Sequence, residues 1–152
     1  MLLPTNSAEE AFHEVGTAVL MVIVTLWLQC AGLAALIVWV RRSVADDLHR
    51  LGPFRSAALV VRLAAAVIAL HGILILLWAS CYRLLCFPSW ESAFYFSACS
   101  YATVGYGDVV APSHWRMLGP LESIIGVLLC GMSVSVLFAT VTRLVGRDAT
   151  EA

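Results

Sequence analysis

Between two long apolar stretches the chain carries Ser100-Tyr101-Ala102-Thr103-Val104-Gly105-Tyr106-Gly107-Asp108-Val109-Val110. Gly105 and Gly107 make this a poor interior for either a helix or a strand, because glycine weakens both. Glycine at alternate positions permits a backbone whose successive carbonyl oxygens point to the same side. Stacked rings of such oxygens can replace the water shell of a monovalent cation. The Thr103 hydroxyl adds a further oxygen at one end, and Asp108 follows at the other. The chemistry on offer is coordination of a passing cation by backbone oxygen, not the making or breaking of bonds.

The surrounding composition says where that stretch must work. The 152 residues are 61% hydrophobic and 12% charged, with mean hydropathy +0.91. A soluble domain carries about twice that charge fraction. The chain reads as one compact integral membrane unit. Inside a bilayer, non-helical backbone survives only when buried in protein or lining a watery cavity, and Thr103–Gly107 fits that exception.

The elements that must position the stretch follow from hydropathy. Residues 15–40 are apolar apart from Thr17, Thr25 and Gln29 and stop at Arg41-Arg42. About 20 residues suffice to cross a bilayer as a helix, so this segment spans. A signal peptide is excluded, since the positive end is C-terminal and the apolar run too long. A polar connection to Ser56 leads into a second span, 57–80, interrupted by Arg62 and His71. Tyr82-Arg83 and Cys86-Phe87-Pro88-Ser89 form a break. Residues 90–101 are apolar and aromatic but amount to roughly 18 Å of helix, too short to span. They suit a re-entrant helix begun by Pro88-Ser89, with Glu91 favourable in its first turn. Its negative C-terminal pole then points at the cation path. Residues 117–141 form the third span, closed by Arg143 and Arg147, and a short tail covers 146–152.

Charge supplies the orientation. Arg41, Arg42, Arg50, Arg55, Arg62, Arg143 and Arg147 lie at one set of ends, and only Arg83 and Arg116 at the other. The positive-inside rule makes the Arg-rich ends cytoplasmic, with the acidic N-terminus and Asp108 outside. The 1–56 region is thus an external N-terminus, an additional spanning helix and a cytoplasmic connection. That helix has no arginine at every third position and so no voltage-sensor pattern; packing or assembly is its simplest role.

The order of elements and the sequence Thr103-Val104-Gly105-Tyr106-Gly107 resemble the pore module and signature filter of tetrameric potassium channels. The resemblance covers 57–145, as outer helix 57–80, pore helix 90–101, filter 103–107 and inner helix 117–141. It implies that potassium ions are held by the backbone oxygens of Thr103, Val104, Gly105 and Tyr106, with Gly107 completing the filter. It also implies a homotetramer, and that Tyr106 faces an aromatic cuff for which Trp90, Phe94, Tyr95 and Phe96 are available. Two positions depart from the family pattern. Ala102 stands where many relatives have threonine. Cys99 stands where some have a glutamate that pairs with the aspartate after the filter, leaving Tyr95, Trp90 or water for Asp108.

Other residues carry two readings each. Glu122 in the third span supports the back of the short helix in preference to a direct ion or proton role. His71 reads first as a neutral side chain bonded to neighbouring backbone and second as a proton sensor. Gly126 and Gly131 serve close packing or a hinge. Ser133 and Ser135 line a cavity or bond their own helix. Cys81 and Cys86 leave a disulfide or two free thiols open, and no cysteine spacing matches a zinc site.

The reading is an all-α membrane protein with three spans plus a re-entrant pore helix and filter. Its expected function is passive, potassium-selective conduction across the plasma membrane as a homotetramer in contact with lipid. Potassium is the permeant ion; no enzyme chemistry, organic cofactor or nucleic-acid partner is expected. The rivals are a non-conducting assembly or regulatory subunit and a component of a potassium transporter.

Overall fold

A computed structural model describes the backbone of residues 7–46 and 53–148 and the side-chain environments of 12–43 and 54–143. The middle of the first connection, including Arg50, and the tail from 149 lie outside the described residues, as do the side chains of Glu9, Glu10 and Arg147. The described chain is all-helical: α1 (Ser7–Asp46), α2 (Pro53–Leu85), the short α3 (Trp90–Tyr101), a single 3-10 turn (Ser113–Trp115) and α4 (Leu118–Asp148). Three stretches, Phe12–Ser43, Phe54–Leu85 and Ser113–Arg143, are long and apolar enough to cross a membrane.

The long helices overrun the spans expected from hydropathy. At Arg41-Arg42 the apolar run stops but the helix continues to Asp46, because charge ends a hydrocarbon span without removing helix propensity. The same holds at Tyr82-Arg83, expected as a break: α2 continues to Leu85. It is closed there by the N–H groups of Cys86 and Phe87, both donated to the Tyr82 carbonyl at 2.8 and 2.9 Å. Pro88 comes next and cannot extend a helix. Pro53 opens α2, where its missing N–H costs nothing.

Ser89 caps α3. Its backbone is extended, at φ −124° and ψ 149°, and its hydroxyl accepts the Ser92 N–H at 3.1 Å. Ala93, Ser97, Ser100 and Tyr101 form the buried face of α3, at spacings that keep them on one side. That face seats between α2 and α4.

In α1 the buried residues are Ala18, Met21, Thr25, Gln29 and Leu33, a single stripe at spacings of three and four. The remaining faces of α1 carry exposed Leu20, Ile23 and Trp27. Lipid tails are as apolar as leucine, so such a stripe gains little from burial alone, and polar contacts and close packing select the partner. Thr25 and Gln29 supply those contacts. Trp78 Nε1 of α2 donates to Thr25 Oγ1 at 3.0 Å, and Gln29 Nε2 donates to Ser133 Oγ of α4 at 2.8 Å. Glu14 Oε1 accepts the Met117 N–H at 2.7 Å, just ahead of α4. Contacts Glu14–Met117 and Gln29–Ser133 thus run down both helices in step, and α1 lies parallel to α4 along one side of the bundle.

Two apolar clusters complete the core. The first gathers Ala18, Met21, Trp78, Tyr82, Ala93 and Leu118, and the second Leu74, Tyr101, Ile125 and Leu129. Both contain residues from α2, α3 and α4, which is how the short helix is held at a defined depth.

Candidate functional site

The chain leaves α3 at Tyr101, two residues before Thr103. Backbone N–H groups of the departing strand turn back on the helix end: Ala102 to Ala98 O, Thr103 to Ser100 O, and Val104 with Gly105 to Cys99 O, at 2.9 to 3.3 Å. The last carbonyls of α3 are therefore occupied by the chain that follows, and the strand is anchored at its base.

From there the backbone alternates in hand. Thr103 has φ 58°, Gly105 φ 53° and Gly107 φ 78°, and these are the positive-φ positions among the described residues. Glycine enters this region freely, whereas a β-branched threonine there is an outlier. Val104 and Tyr106 lie between them with ordinary backbone hand, and every residue from Ala102 to Asp108 is exposed. Tyr106 is 74% exposed, so its own chain does not bury it. Trp90 and Phe94 are also exposed, while Phe96 turns the other way and packs edge-on against Tyr82, centroids 4.9 Å apart. A cuff around Tyr106 is not assembled within one chain.

Asp108 takes a hydrogen bond from the Tyr95 hydroxyl at 2.8 Å and one from the Val109 N–H at 3.0 Å. Trp90, expected beside it, opens α3 and makes no hydrogen bond to Asp108. It lies about 7.5 Å along the helix axis from Tyr95. The bond to Asp108 holds the Tyr95 phenol up at about 12.

Behind α3 lies Glu122, fully buried in α4. Tyr82 of α2 donates to its Oε2 at 2.8 Å, and Ser97 of α3 lies 2.6 Å from Oε1 and 2.9 Å from the Ile75 carbonyl. Glu122 thus joins three helices through hydroxyls and faces the back of α3, away from the exposed strand. Four residues further along α4, a Cβ on Gly126 would meet the Tyr101 carbonyl at 2.5 Å, whereas one on Gly131 would meet nothing within 4 Å. Ser123, between Glu122 and Gly126 on the same face, donates toward Ser100 O at 2.6 Å and Gly119 O at 3.0 Å.

His71 departs from the expected backbone bond. Its Nδ1 lies 2.7 Å from the Tyr101 hydroxyl and its Nε2 2.9 Å from Ser133 Oγ. Ser133 is buried between helices, and Ser135 bonds its own helix through Gly131 O at 3.0 Å. Sequence reasoning missed Ser97, Ser123, Tyr82 and the pairing of Gln29 with Ser133. The one available signal was polar residues recurring at helical spacing in otherwise apolar spans. Cys81 and Cys86 are free thiols. Burial pushes the Cys86 thiol up to about 11, which keeps it protonated and slow to exchange.

No group of three or more His, Cys, Asp and Glu side chains placed to hold a metal occurs among the described residues. The family model described as ion channel matches residues 68–143, half of the chain, from the middle of α2 to the end of the apolar part of α4. Neither curated proteins nor solved structures give a match. The matched region contains α3, the strand of alternating hand and the residues that seat them, and α1 lies outside it. With three helices able to cross a membrane and that match over half its length, the chain belongs to the ion channel family.

Proposed function

We propose that the protein is a potassium-selective channel in which four copies surround one conduction path. The observation that carries this reading is the alternation of positive φ at Thr103, Gly105 and Gly107 directly after a short capped helix. A backbone that changes hand at every residue aims its carbonyls to one side, unlike a pleated strand. The oxygens of Thr103, Val104, Gly105 and Tyr106, with the Thr103 hydroxyl, are the ligands for the permeant ion, and stacked rings of them replace its hydration shell. One chain supplies one such strand, so a closed ring needs several. The exposure of Tyr106, Trp90 and Phe94 in the single chain supports an assembly that covers them. Tyr95 and Asp108 brace the outer end, and Glu122 braces α3 from behind.

In this reading the spans lie in the plasma membrane among its lipids, with the N-terminus outside and the C-terminus in the cytoplasm. The parallel course of α1 and α4 supports termini on opposite sides, and the arginine distribution supports the direction.

Purified protein in potassium-loaded vesicles tests the proposal. The expected result is rapid potassium efflux, blocked by barium, far exceeding sodium efflux and requiring no coupled ion. Flux that needs a second ion would indicate a transporter component. Protein that assembles without flux would indicate a non-conducting subunit.

A further inference from the structure

α1 lies outside the matched ion channel region, yet it is wired into the end of α3. Gln29, fully buried in α1, donates through Nε2 to Ser133 Oγ of α4 at 2.8 Å. Its Oε1 has no partner, so the amide's hold on the bundle runs through the nitrogen, which also reaches Leu129 O at 3.4 Å. Ser133 Oγ lies 2.9 Å from His71 Nε2 of α2, and His71 Nδ1 lies 2.7 Å from the Tyr101 hydroxyl of α3. The chain takes one residue from each of the four helices and ends two residues before Thr103.

The chemistry of imidazole makes these bonds interdependent. In neutral histidine one ring nitrogen donates and the other accepts. If Nε2 donates to Ser133, Nδ1 accepts from Tyr101; if Ser133 donates to Nε2, the Nδ1–H is given to Tyr101. The two hydroxyls therefore switch roles together, and Gln29, bonded to Ser133, biases which arrangement is held. Tyr101 is fixed at its other end as well, since its carbonyl rests on Gly126 of α4. The orientation of its ring and backbone sets the point from which the alternating strand departs.

We propose that α1 is a positioning element for the ion-selective strand, acting through Gln29, Ser133 and His71 on the Tyr101 hydroxyl. This rests on the reading of Thr103–Gly107 as a potassium filter. A helix that merely packs against the bundle would affect yield and thermal stability. A positioning helix also affects discrimination between ions, because the strand's oxygens lose their register when its base is released.

The experiment compares potassium and sodium flux from vesicles containing the full chain, as wild type, Gln29→Leu, Ser133→Ala, Tyr101→Phe and the Gln29→Leu/Tyr101→Phe double variant, with thermal stability recorded in parallel. Each single variant is expected to lower the potassium-to-sodium flux ratio by about three- to tenfold, the equivalent of one net hydrogen bond. The double variant is expected to match the worse single one, because both cut the same chain. A wild-type ratio in Gln29→Leu and Ser133→Ala, whatever their melting temperatures, would overturn the proposal, as would multiplying effects in the double variant. Should Gln29→Leu not be recovered folded, Ser133→Ala decides in the same way, since it removes only the central hydroxyl. Wild-type protein without potassium-selective flux would overturn the filter reading itself, a result distinct from selective wild type with insensitive variants.

Discussion

Gly126 of α4 is the seat of the Tyr101 carbonyl of α3: a Cβ at Gly126 would stand 2.5 Å from that oxygen, against backbone that cannot swing aside. Close approach is what the glycine provides here. Gly126→Ala should push the end of α3 away from α4 and cost about 1–3 kcal/mol, the usual range for overpacking a tight interface. Gly131→Ala, in open space on the same helix, should leave stability unchanged or slightly raised. Thermal unfolding in detergent distinguishes the two, and equal melting temperatures would contradict the assignment.

Gly105 and Gly107 raise the opposite issue, since added Cβ atoms would meet nothing within 4 Å yet the backbone has φ 53° and 78°. The cost of alanine there is conformational, on the order of 1–2 kcal/mol per position for the left-handed region. Gly105→Ala and Gly107→Ala should each abolish potassium-over-sodium selectivity or conduction in vesicles. Retained selectivity in both would remove the strand from the ion path.

Glu122 offers a test of charge against shape. In Glu122→Gln the amide oxygen still accepts from Tyr82, and the amide nitrogen can donate to Ser97, whose hydroxyl then serves the Ile75 carbonyl. Stability and flux should therefore survive. Glu122→Ala instead strands the buried Tyr82 hydroxyl, at about 1–3 kcal/mol for the orphaned group, while Ser97 keeps the Ile75 carbonyl at 2.9 Å. A glutamine variant as damaged as the alanine variant would mean that the carboxylate charge, and not the hydrogen-bond frame, is what the site requires.

The Tyr95–Asp108 bond has a pH signature. The phenol is held at about 12 against an ordinary 10, so the folded state keeps a proton that the unfolded state releases first. Both forms are protonated below pH 10, where the contribution to stability is fully present, and it is lost as the pH rises through about 12. The difference in phenolate absorbance between wild type and Tyr95→Phe should titrate near 12, and titration near 10 would mean the bond is not formed in the membrane-embedded protein.

Topology can be read with an impermeant thiol reagent on intact cells. A cysteine at Ser7→Cys should label above the unsubstituted chain, and one at Ser43→Cys should not. The reverse pattern would invert the orientation and place Asp108 inside.

Much of this architecture was legible in the sequence because each signal is local. Long apolar runs set the three helices able to span. Ser89 following Pro88 marked the start of α3, and Gly105 and Gly107 marked backbone that needs positive φ. The helix ends beyond Arg41-Arg42 and Tyr82-Arg83 were misjudged, because hydropathy reports where the lipid ends and not where the hydrogen-bonded helix does. Tertiary structure alone decided which polar residues meet. Gln29 and Ser133 are 104 positions apart, and Tyr82 and Glu122 are 40 apart, distances over which periodicity within a helix carries no information about its neighbour. Isolated in apolar spans, Gln29, His71, Glu122 and Ser133 look alike. Their roles follow from the packing of α1 and α4 in parallel around α3, because each of these side chains meets its partner on a neighbouring helix, and a polar group left unpaired in an apolar interior is costly.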